Sequence, residues 1–126
     1  MNNPYFMHYR NMRNPERGGV TVCIGQLPDG GYRVVMATCS PRDNFNRRTG
    51  RTIALTRFNS EKAHHHDFPE KPPEALIRDL AMTRWAHSWE RNVDTEALPP
   101  MKFDGHAGTV RVPALVLMAR REPTNG

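Results

Sequence analysis

Residues 19–39 read GVTVCIGQLPDGGYRVVMATC, and this stretch decides the fold that the sequence predicts. Two runs rich in β-branched residues flank a turn sequence that contains Asp29 and Gly30. An Asp-Gly pair between two such runs is a strong signal for a β-hairpin with a two-residue turn. We therefore expect a hairpin as the first regular element of the domain.

The position of the turn fixes which hairpin residues share a face. If Asp29 and Gly30 form the turn, paired residue numbers sum to 59, which is 29 plus 30. The face expected to meet the core then carries Val20, Val22, Ile24, Val35, Ala37 and Cys39. The other face is half apolar, so another strand, a loop or a second subunit could cover it, and a homodimer stays open. This register also places Cys23 and Cys39 on opposite faces.

A second stretch, CSPRDNFNRRTGRTIALTR over residues 39–57, predicts a helix with five arginines. Ser40 as N-cap, Pro41 at the first helical position and Asp43 three residues after Ser40 form the start signal, and the helix should end near Phe58. At 100° per residue, the face expected to pack on the hairpin carries Phe45, Thr49, Thr52, Ile53 and Thr56. The opposite face carries Arg47, Arg51, Ala54 and Phe58.

The remaining segments complete an α+β prediction. Residues 59–73 read as a loop, residues 72–92 as a broad apolar helix, and residues 93–107 as a second loop. The apolar run over residues 109–121 fits a strand, with Pro113 at an edge or bulge, better than a helix that begins near Pro113. The expected fold is a β-hairpin extended by this C-terminal strand and packed with two helices.

Composition places this fold in one domain. The chain has 126 residues, of which 37% are apolar, and a mean hydropathy of −0.72. We expect an irregular N-terminal arm over residues 1–18, a single α+β domain over 19–121 and a tail over 122–126. No segment resembles a signal peptide or a membrane span, and two cysteines give no disulfide framework. These features predict a cytoplasmic protein with reduced cysteines and no membrane partner.

The net charge of +5 favours anionic partners. Of the 18 basic residues, all except Lys62, Lys71 and Lys102 are Arg. The planar guanidinium fork suits phosphate and carboxylate, so the bias favours a recognition surface, with coding bias of a GC-rich genome as the alternative.

The arginine-rich helix is the candidate binding surface, because phosphate contacts need positive donors at backbone spacing. An interior glycine costs about 1 kcal/mol relative to Ala, so Gly50 suggests close approach of a ligand or another helix. A solvated face with Gly50 as a packing notch is the alternative. The predicted contact residues are Arg42, Arg47, Arg48, Gly50, Arg51 and Arg57, with Arg47, Arg48 and Arg51 as the main phosphate contacts.

The N-terminal arm supplies a second candidate surface. Its aromatic residues interleave with Arg10 and Arg13, a pattern typical of proteins that stack the bases of single-stranded nucleic acid. The candidate contacts there are Tyr5, Tyr9 and Arg10. The alternative is that the aromatic side chains anchor the arm to its own domain or to a twin subunit.

Enzymatic chemistry has little support in the sequence. The run His64, His65, His66, Asp67 is a weak metal candidate through His64 and His66, because it lacks a defined spacing such as HExxH. No nucleophile elbow, P-loop or dinucleotide glycine pattern is present. We expect a non-enzymatic protein without a cofactor.

The pattern C-S-P-x-D-x-F-x-R-x-x-G-R-x-x-A-x-x-R resembles small uncharacterised proteins encoded by tailed bacteriophages. The matching positions are Cys39, Ser40, Pro41, Asp43, Phe45, Arg47, Gly50, Arg51, Ala54 and Arg57. The resemblance covers about a third of the chain and implies host takeover, nucleic-acid handling or inhibition of bacterial defence, such as anti-CRISPR activity.

Two functions follow as expectations. The leading one is binding of DNA or RNA, or of a complex that contains nucleic acid, through the arginine-rich helix. The alternative is inhibition of a host protein complex, in which the arginines meet an acidic surface and Phe58 or Trp89 serves as an apolar anchor.

Overall fold

The computed structural model of the chain describes residues 4–93 and 97–107. Within them, one antiparallel sheet and two helices confirm the expected α+β class. The strands are β1 (Tyr5–Asn11), β2 (Arg17–Gln26), β3 (Tyr32–Asn44), β4 (His66–Phe68) and β5 (Met101–Ala107), and the helices are α1 (Arg47–Phe58) and α2 (Glu74–Asn92). The order across the sheet is β4-β3-β2-β1-β5.

The two helices cover opposite faces of the sheet. Under α2 the buried sheet residues are Met7, Tyr9, Val20, Val22, Ile24, Val34 and Met36, which meet Ile77, Ala81, Trp85 and Trp89. Under α1 the buried residues are Phe6, Cys23, Val35 and Ala37, which meet Ala54. Successive strand residues point to opposite faces of the sheet. Because a helix covers each face, the central strands carry apolar residues on both.

The predicted hairpin is present, but its register differs by one residue. Gln26 pairs with Tyr32, so paired residue numbers sum to 58. The turn has three residues rather than two, and it is closed by a 2.7 Å hydrogen bond from the Leu27 N–H to the Gly31 carbonyl. Gly30 takes the left-handed conformation, with φ of 94°, that such a three-residue turn requires.

This one-residue difference makes half of the predicted core face wrong. Val34 and Met36 lie on the α2 side with the even-numbered residues of β2, and Val35 and Ala37 lie on the α1 side. A slip of one residue moves every side chain of a strand to the other face, because the side-chain period is two. Cys23 and Cys39, both free thiols, therefore share a face, and the predicted opposite placement was wrong.

Strand β1 corrects the prediction of an irregular arm over residues 1–18. It pairs with β2 on one side and with β5 on the other. Phe6, Met7 and His8 are all at most 1% exposed. Aromatic residues on both faces hide the two-residue alternation that marks a half-exposed strand, which is why the prediction failed.

The predicted start of the first helix at Ser40 is also wrong. Strand β3 continues to Asn44, and α1 begins at Arg47. Asn46 is the N-cap, and its Oδ1 accepts a 2.9 Å hydrogen bond from the Thr49 N–H. Asn is as good an N-cap as Ser, so the local signal alone could not separate the two starts.

The sheet ends in two strands that the sequence did not predict. β4 lies in the predicted loop over residues 59–73, and β5 lies in the predicted loop over residues 93–107. β5 pairs with β1 rather than with the hairpin. The run over residues 109–121, predicted as the C-terminal strand, and the tail over 122–126 lie outside the described residues. In the described part of the chain, neither helix is long and apolar enough to cross a membrane.

Candidate functional site

The candidate site lies at an open edge of the sheet. Strand β4 pairs only with Tyr32, Arg33 and Val34 of β3. Beyond Val34, no described strand neighbours the outer edge of β3. A cavity of about 500 Å³ opens there, bounded by the end of β3, the first half of α1 and the second half of α2. We call this cavity the edge cleft.

Basic and hydroxyl-bearing side chains dominate the lining of the edge cleft. Its basic residues are Arg42, Arg84, His87 and Arg91. Its hydroxyl residues are Thr21, Thr38, Ser40, Thr49 and Ser88. Of the described residues that line it, Asp43 is the sole acid. Three guanidinium groups against one carboxylate leave the cleft positively charged at neutral pH.

A bulge at the end of β3 brings Arg42 to the cleft. Between the pairs Gly19–Cys39 and Arg17–Asn44, β3 has the four residues 40–43 where β2 has only Gly18. A Cβ on Gly18 would lie 2.8 Å from the Pro41 Cα and 2.7 Å from the Trp85 ring, so the bulge needs glycine there.

Hydrogen bonds fix the bulge in place. The Arg17 Nη1 donates to the Arg42 carbonyl at 2.9 Å, and the Arg42 Nε donates to the Asn92 carbonyl at the end of α2 at 2.9 Å. The Ser40 hydroxyl accepts from the Arg42 N–H at 3.2 Å. Arg42 therefore joins β3 to α2 beside the edge cleft.

Arg84, which lines the cleft, has Arg57 as a charged neighbour. Burial, and then the neighbouring Arg57, lower the pKa of Arg84. The Arg57 Nη1 donates to the Met36 carbonyl at 2.8 Å, and the residue is only 7% exposed. Arg57 therefore satisfies a carbonyl at the open edge of β3, and its predicted role as a surface contact was wrong.

The N-terminus of α1 adds to the positive potential. Asn46, Thr49 and Gly50 line the cleft from the first turn of this helix. The positive end of the helix dipole lies there, which favours an anion.

Arg47, predicted as a main phosphate contact, instead binds Asp104 of β5. Its Nη2 lies 2.7 Å from Asp104 Oδ2, and the Arg10 Nε lies 2.6 Å from the same oxygen. Burial opposes ionisation of Asp104, but hydrogen bonds from Arg47 and Arg10 outweigh it and lower the pKa of the carboxyl. Through Asp104, Arg47 fastens α1 to β5 and Arg10 fastens β1 to the same strand, away from the edge cleft.

Arg51 is partly buried. Its pKa is lowered by burial, then by Arg47 and Arg48, and its Nε is buried with no hydrogen-bond partner among the described residues. Arg48, by contrast, is exposed and makes no ion pair with the described residues. Of the three predicted main contacts, Arg48 is the one that is both exposed and without an ion pair to the described residues.

The packing face of α1 differs from the predicted one. A Cβ on Gly50 would collide with the Thr21 side chain, so this glycine allows the helix to approach β2 closely. Ala54 is fully buried and Phe58 packs beside it, although both were predicted on the solvent side. Gly50 is thus a packing notch, the alternative that the sequence left open.

The second candidate surface does not form. Tyr9 lies in the core under α2, and its ring is 5.5 Å from that of Phe103. The guanidinium of Arg10 lies 4.7 Å from the centre of the Phe45 ring. Tyr5 is half-buried, with the Lys71 Nζ 5.4 Å from its ring centre. These aromatic residues anchor β1 to its own domain.

The proposed anchors of a protein inhibitor are also in the interior. Trp89 belongs to the core under α2, and Phe58 packs against the core under α1. Neither side chain can serve as an exposed anchor without leaving its core.

The histidine run lies at β4 and in the loop before it. The rings of His64 and His66 are 4.9 Å apart, and the His65 Nδ1 lies 3.2 Å from Asp67 Oδ1. Within residues 4–93 and 97–107, no group of three or more His, Cys, Asp or Glu side chains is arranged to hold a metal ion.

The sequence analysis missed the contribution of α2. Arg84, His87, Ser88 and Arg91 form a stripe at helical spacing, along one side of the core stripe of this helix. The apolar residues of this helix cover more than one face, so its polar residues were not considered as a binding surface. The i, i+4 and i+7 spacing of Arg84, Ser88 and Arg91 was the signal that could have found the stripe.

No protein-family model matches this chain, and neither the curated proteins nor the solved structures include a significant match. The resemblance of residues 39–57 to phage proteins therefore stays a prediction, and the chemistry of the edge cleft carries the functional conclusion.

Proposed function

We propose that the protein binds nucleic acid through the edge cleft, as a non-enzymatic binding protein. The observation that carries this proposal is the cleft itself, where Arg42, Arg84 and Arg91 converge from two elements with hydroxyl groups between them. Arginine forks suit phosphate oxygens, and Ser and Thr hydroxyls are frequent donors to phosphate and sugar.

The proposal changes which arginines make the main contacts. Arg42 and Arg91 take the place of Arg47 and Arg51, because Arg47 is paired with Asp104 and Arg51 is partly buried. Arg48 stays in the proposed set as an exposed positive charge near the N-terminus of α1.

The test compares two double variants that each remove two positive charges. Arg42→Ala with Arg91→Ala changes the cleft, and Lys62→Ala with Arg78→Ala removes exposed charges that do not line it. Binding of short single-stranded and duplex DNA and RNA is measured by fluorescence anisotropy from about 50 to 200 mM salt.

We expect the cleft variant to lose at least about tenfold in affinity at the lowest salt, and its slope of log affinity against log salt to fall by about 1 to 2. The control should stay within about threefold of the parent protein. Melting temperatures of both variants establish that the fold is intact. Equal losses in the two variants would remove the cleft from the proposal, and no binding by the parent protein at low salt would end the proposal itself.

A further inference from the structure

We infer that the edge cleft takes a single nucleotide, as a chain terminus or a free mononucleotide, rather than a continuous strand. This inference rests on the proposed function and specifies what the same site accepts. Its first support is size. A cavity of about 500 Å³ falls within the range of about 300 to 1,000 Å³ typical of small-molecule sites. Grooves that track a single strand instead follow about four or more nucleotides along a surface.

The second support is a bridge between two walls of the cleft. The hydrogen bond from the Arg42 Nε to the Asn92 carbonyl, at 2.9 Å, joins the bulge of β3 to the end of α2. The bulge is held from behind by Arg17, whose Nη1 donates to the Arg42 carbonyl. We expect this bridge to obstruct a strand that would run on through the cleft.

The third support is the main chain of β3. The Met36 carbonyl accepts from Arg57 at the open edge, so it points away from β2. Alternate residues of a strand direct their N–H and C=O groups to the same side, so the N–H and C=O of Thr38 also point to this edge. Thr38 lines the cleft. An N–H beside a C=O complements the adjacent donor and acceptor on the Watson–Crick edge of a base.

The cleft thus offers distinct partners for each part of a nucleotide. Arg42 and Arg91 suit the phosphate, Thr38 offers main-chain groups to the base, and Ile53 and Ala37 supply apolar surface beside it. A terminal phosphate carries more charge than a phosphodiester, so two guanidinium groups favour a chain end or a monophosphate.

The experiment uses the full chain and a labelled single-stranded 10-mer with a 5′-phosphate. Competitors are a circular strand of the same sequence, a linear strand with a 3′-phosphate, a nucleoside 5′-monophosphate, the matching nucleoside and inorganic phosphate. Ser88→Trp fills the cleft without changing its charge, and Arg78→Ala serves as the matched control outside it.

We expect the monophosphate to compete, the nucleoside and phosphate alone to compete at least about tenfold more weakly, and the circle to bind at least about tenfold more weakly than a linear strand. Ser88→Trp should lose this preference and Arg78→Ala should keep it. A linear strand that binds better than the monophosphate indicates a chain terminus, and the reverse order indicates a free mononucleotide.

The inference would be overturned if the circular and linear strands bound equally well and the monophosphate did not compete. If the double variant Arg42→Ala with Arg91→Ala still bound strands more weakly in that case, the cleft would remain a nucleic-acid site but not a single-nucleotide site. If the protein binds the nucleoside monophosphate but has no affinity for any strand, the inference of a single-nucleotide site stands and binding of nucleic-acid polymers is ruled out.

Discussion

His8 of β1 lies on the α1 side of the sheet, in a positive environment made by Arg51, Arg47 and Arg10. Its ring is 1% exposed, and its Nδ1 lies 3.1 Å from the Thr21 hydroxyl oxygen. Burial, and then the neighbouring Arg51 and Arg47, lower the pKa of His8 to about 4. A neutral imidazole is therefore part of the folded state at neutral pH. Its Nε2 has no hydrogen-bond partner among the described residues, so protonation there would add charge without adding a bond.

The pKa of His8 predicts a loss of stability in mild acid. Because the unfolded state takes up a proton near pH 6.5 and the folded state only near pH 4, stability is fully present above pH 6.5 and falls as pH drops to 4. The full effect is about 3 kcal/mol. Urea unfolding at pH 7, 5.5 and 4.5 measures it.

His8→Gln should be destabilised overall but should lose most of this pH dependence. His66→Gln is the control, because the pKa of His66 is also lowered, by burial and then by His64. The carboxyl pKa values of Asp67 and Asp104 are lowered from their ordinary value of 3.8. These groups therefore change stability mainly below pH 3.8, outside the window in which His8 acts. An unchanged slope in His8→Gln would contradict the assignment.

At the scale of elements, α1 is held by two kinds of contact. Its small residues Gly50 and Ala54 let the helix backbone approach β2 and β3 closely. Its first residue, Arg47, reaches across to Asp104 in β5. The helix therefore spans the sheet, from the strand at one edge to the carbonyl of Met36 at the other, where Arg57 donates.

Gly50→Ala tests the close approach of α1 to β2. Alanine raises helix propensity by about 1 kcal/mol, but its methyl group would collide with the Thr21 side chain, and overpacking costs about 1 to 3 kcal/mol. We expect net destabilisation in urea unfolding. In a double-mutant cycle with Thr21→Ala, the cost of Gly50→Ala should shrink, because the hydroxyl oxygen nearest to the added methyl is gone. If the single variant Gly50→Ala were more stable than the parent protein, α1 would be free to shift away from β2.

The sequence predicted elements better than boundaries or faces. The hairpin and α2 were predicted because β-branched runs around Asp-Gly, and apolar residues at helical spacing, are local signals. The hairpin register was missed because the Asp-Gly signal indicates a two-residue turn, whereas Pro28 belongs to the turn as well. The start of α1 was missed because β3 continues through a bulge that depends on Gly18 and on pairing with β2.

At the scale of the whole molecule, one sheet serves two cores. α1 and α2 bury opposite faces of the same central strands, so neither helix can leave without exposing β1, β2 and β3. Both tryptophans lie on α2, where Trp85 is fully buried and its Nε1 donates to the Pro99 carbonyl at 3.1 Å. Tryptophan emission therefore reports one core, and far-UV circular dichroism reports both.

We expect these two probes to give the same urea midpoint, because the shared sheet makes unfolding a single transition. The Gly50→Ala variant sharpens this test, since it disturbs only the α1 side. Its tryptophan and circular dichroism midpoints should fall together. A tryptophan transition that stays at the parent midpoint, while the helical signal falls earlier, would mean that the two cores unfold separately.

The candidate site depends on this whole-molecule arrangement, so only part of it could be read from the sequence. Arg42 was in the predicted set because it lies in the arginine-rich stretch. Arg84 and Arg91 are more than 40 positions further along the chain, and only the crossing of α2 over the end of β3 brings them to Arg42. Likewise, Asp104 occupies the guanidinium of Arg47 through a contact between residues 57 positions apart.

The shortness of β4 has a consequence for self-association. A strand edge without a neighbour can add strands from other molecules, which is a common route to aggregation. The exposed end of β3 carries a proline at position 41, charges at Arg42 and Asp43, and a bulge, and each of these hinders such pairing. The bulge over residues 40–43 therefore both borders the cleft and hinders pairing of this sheet edge with another molecule.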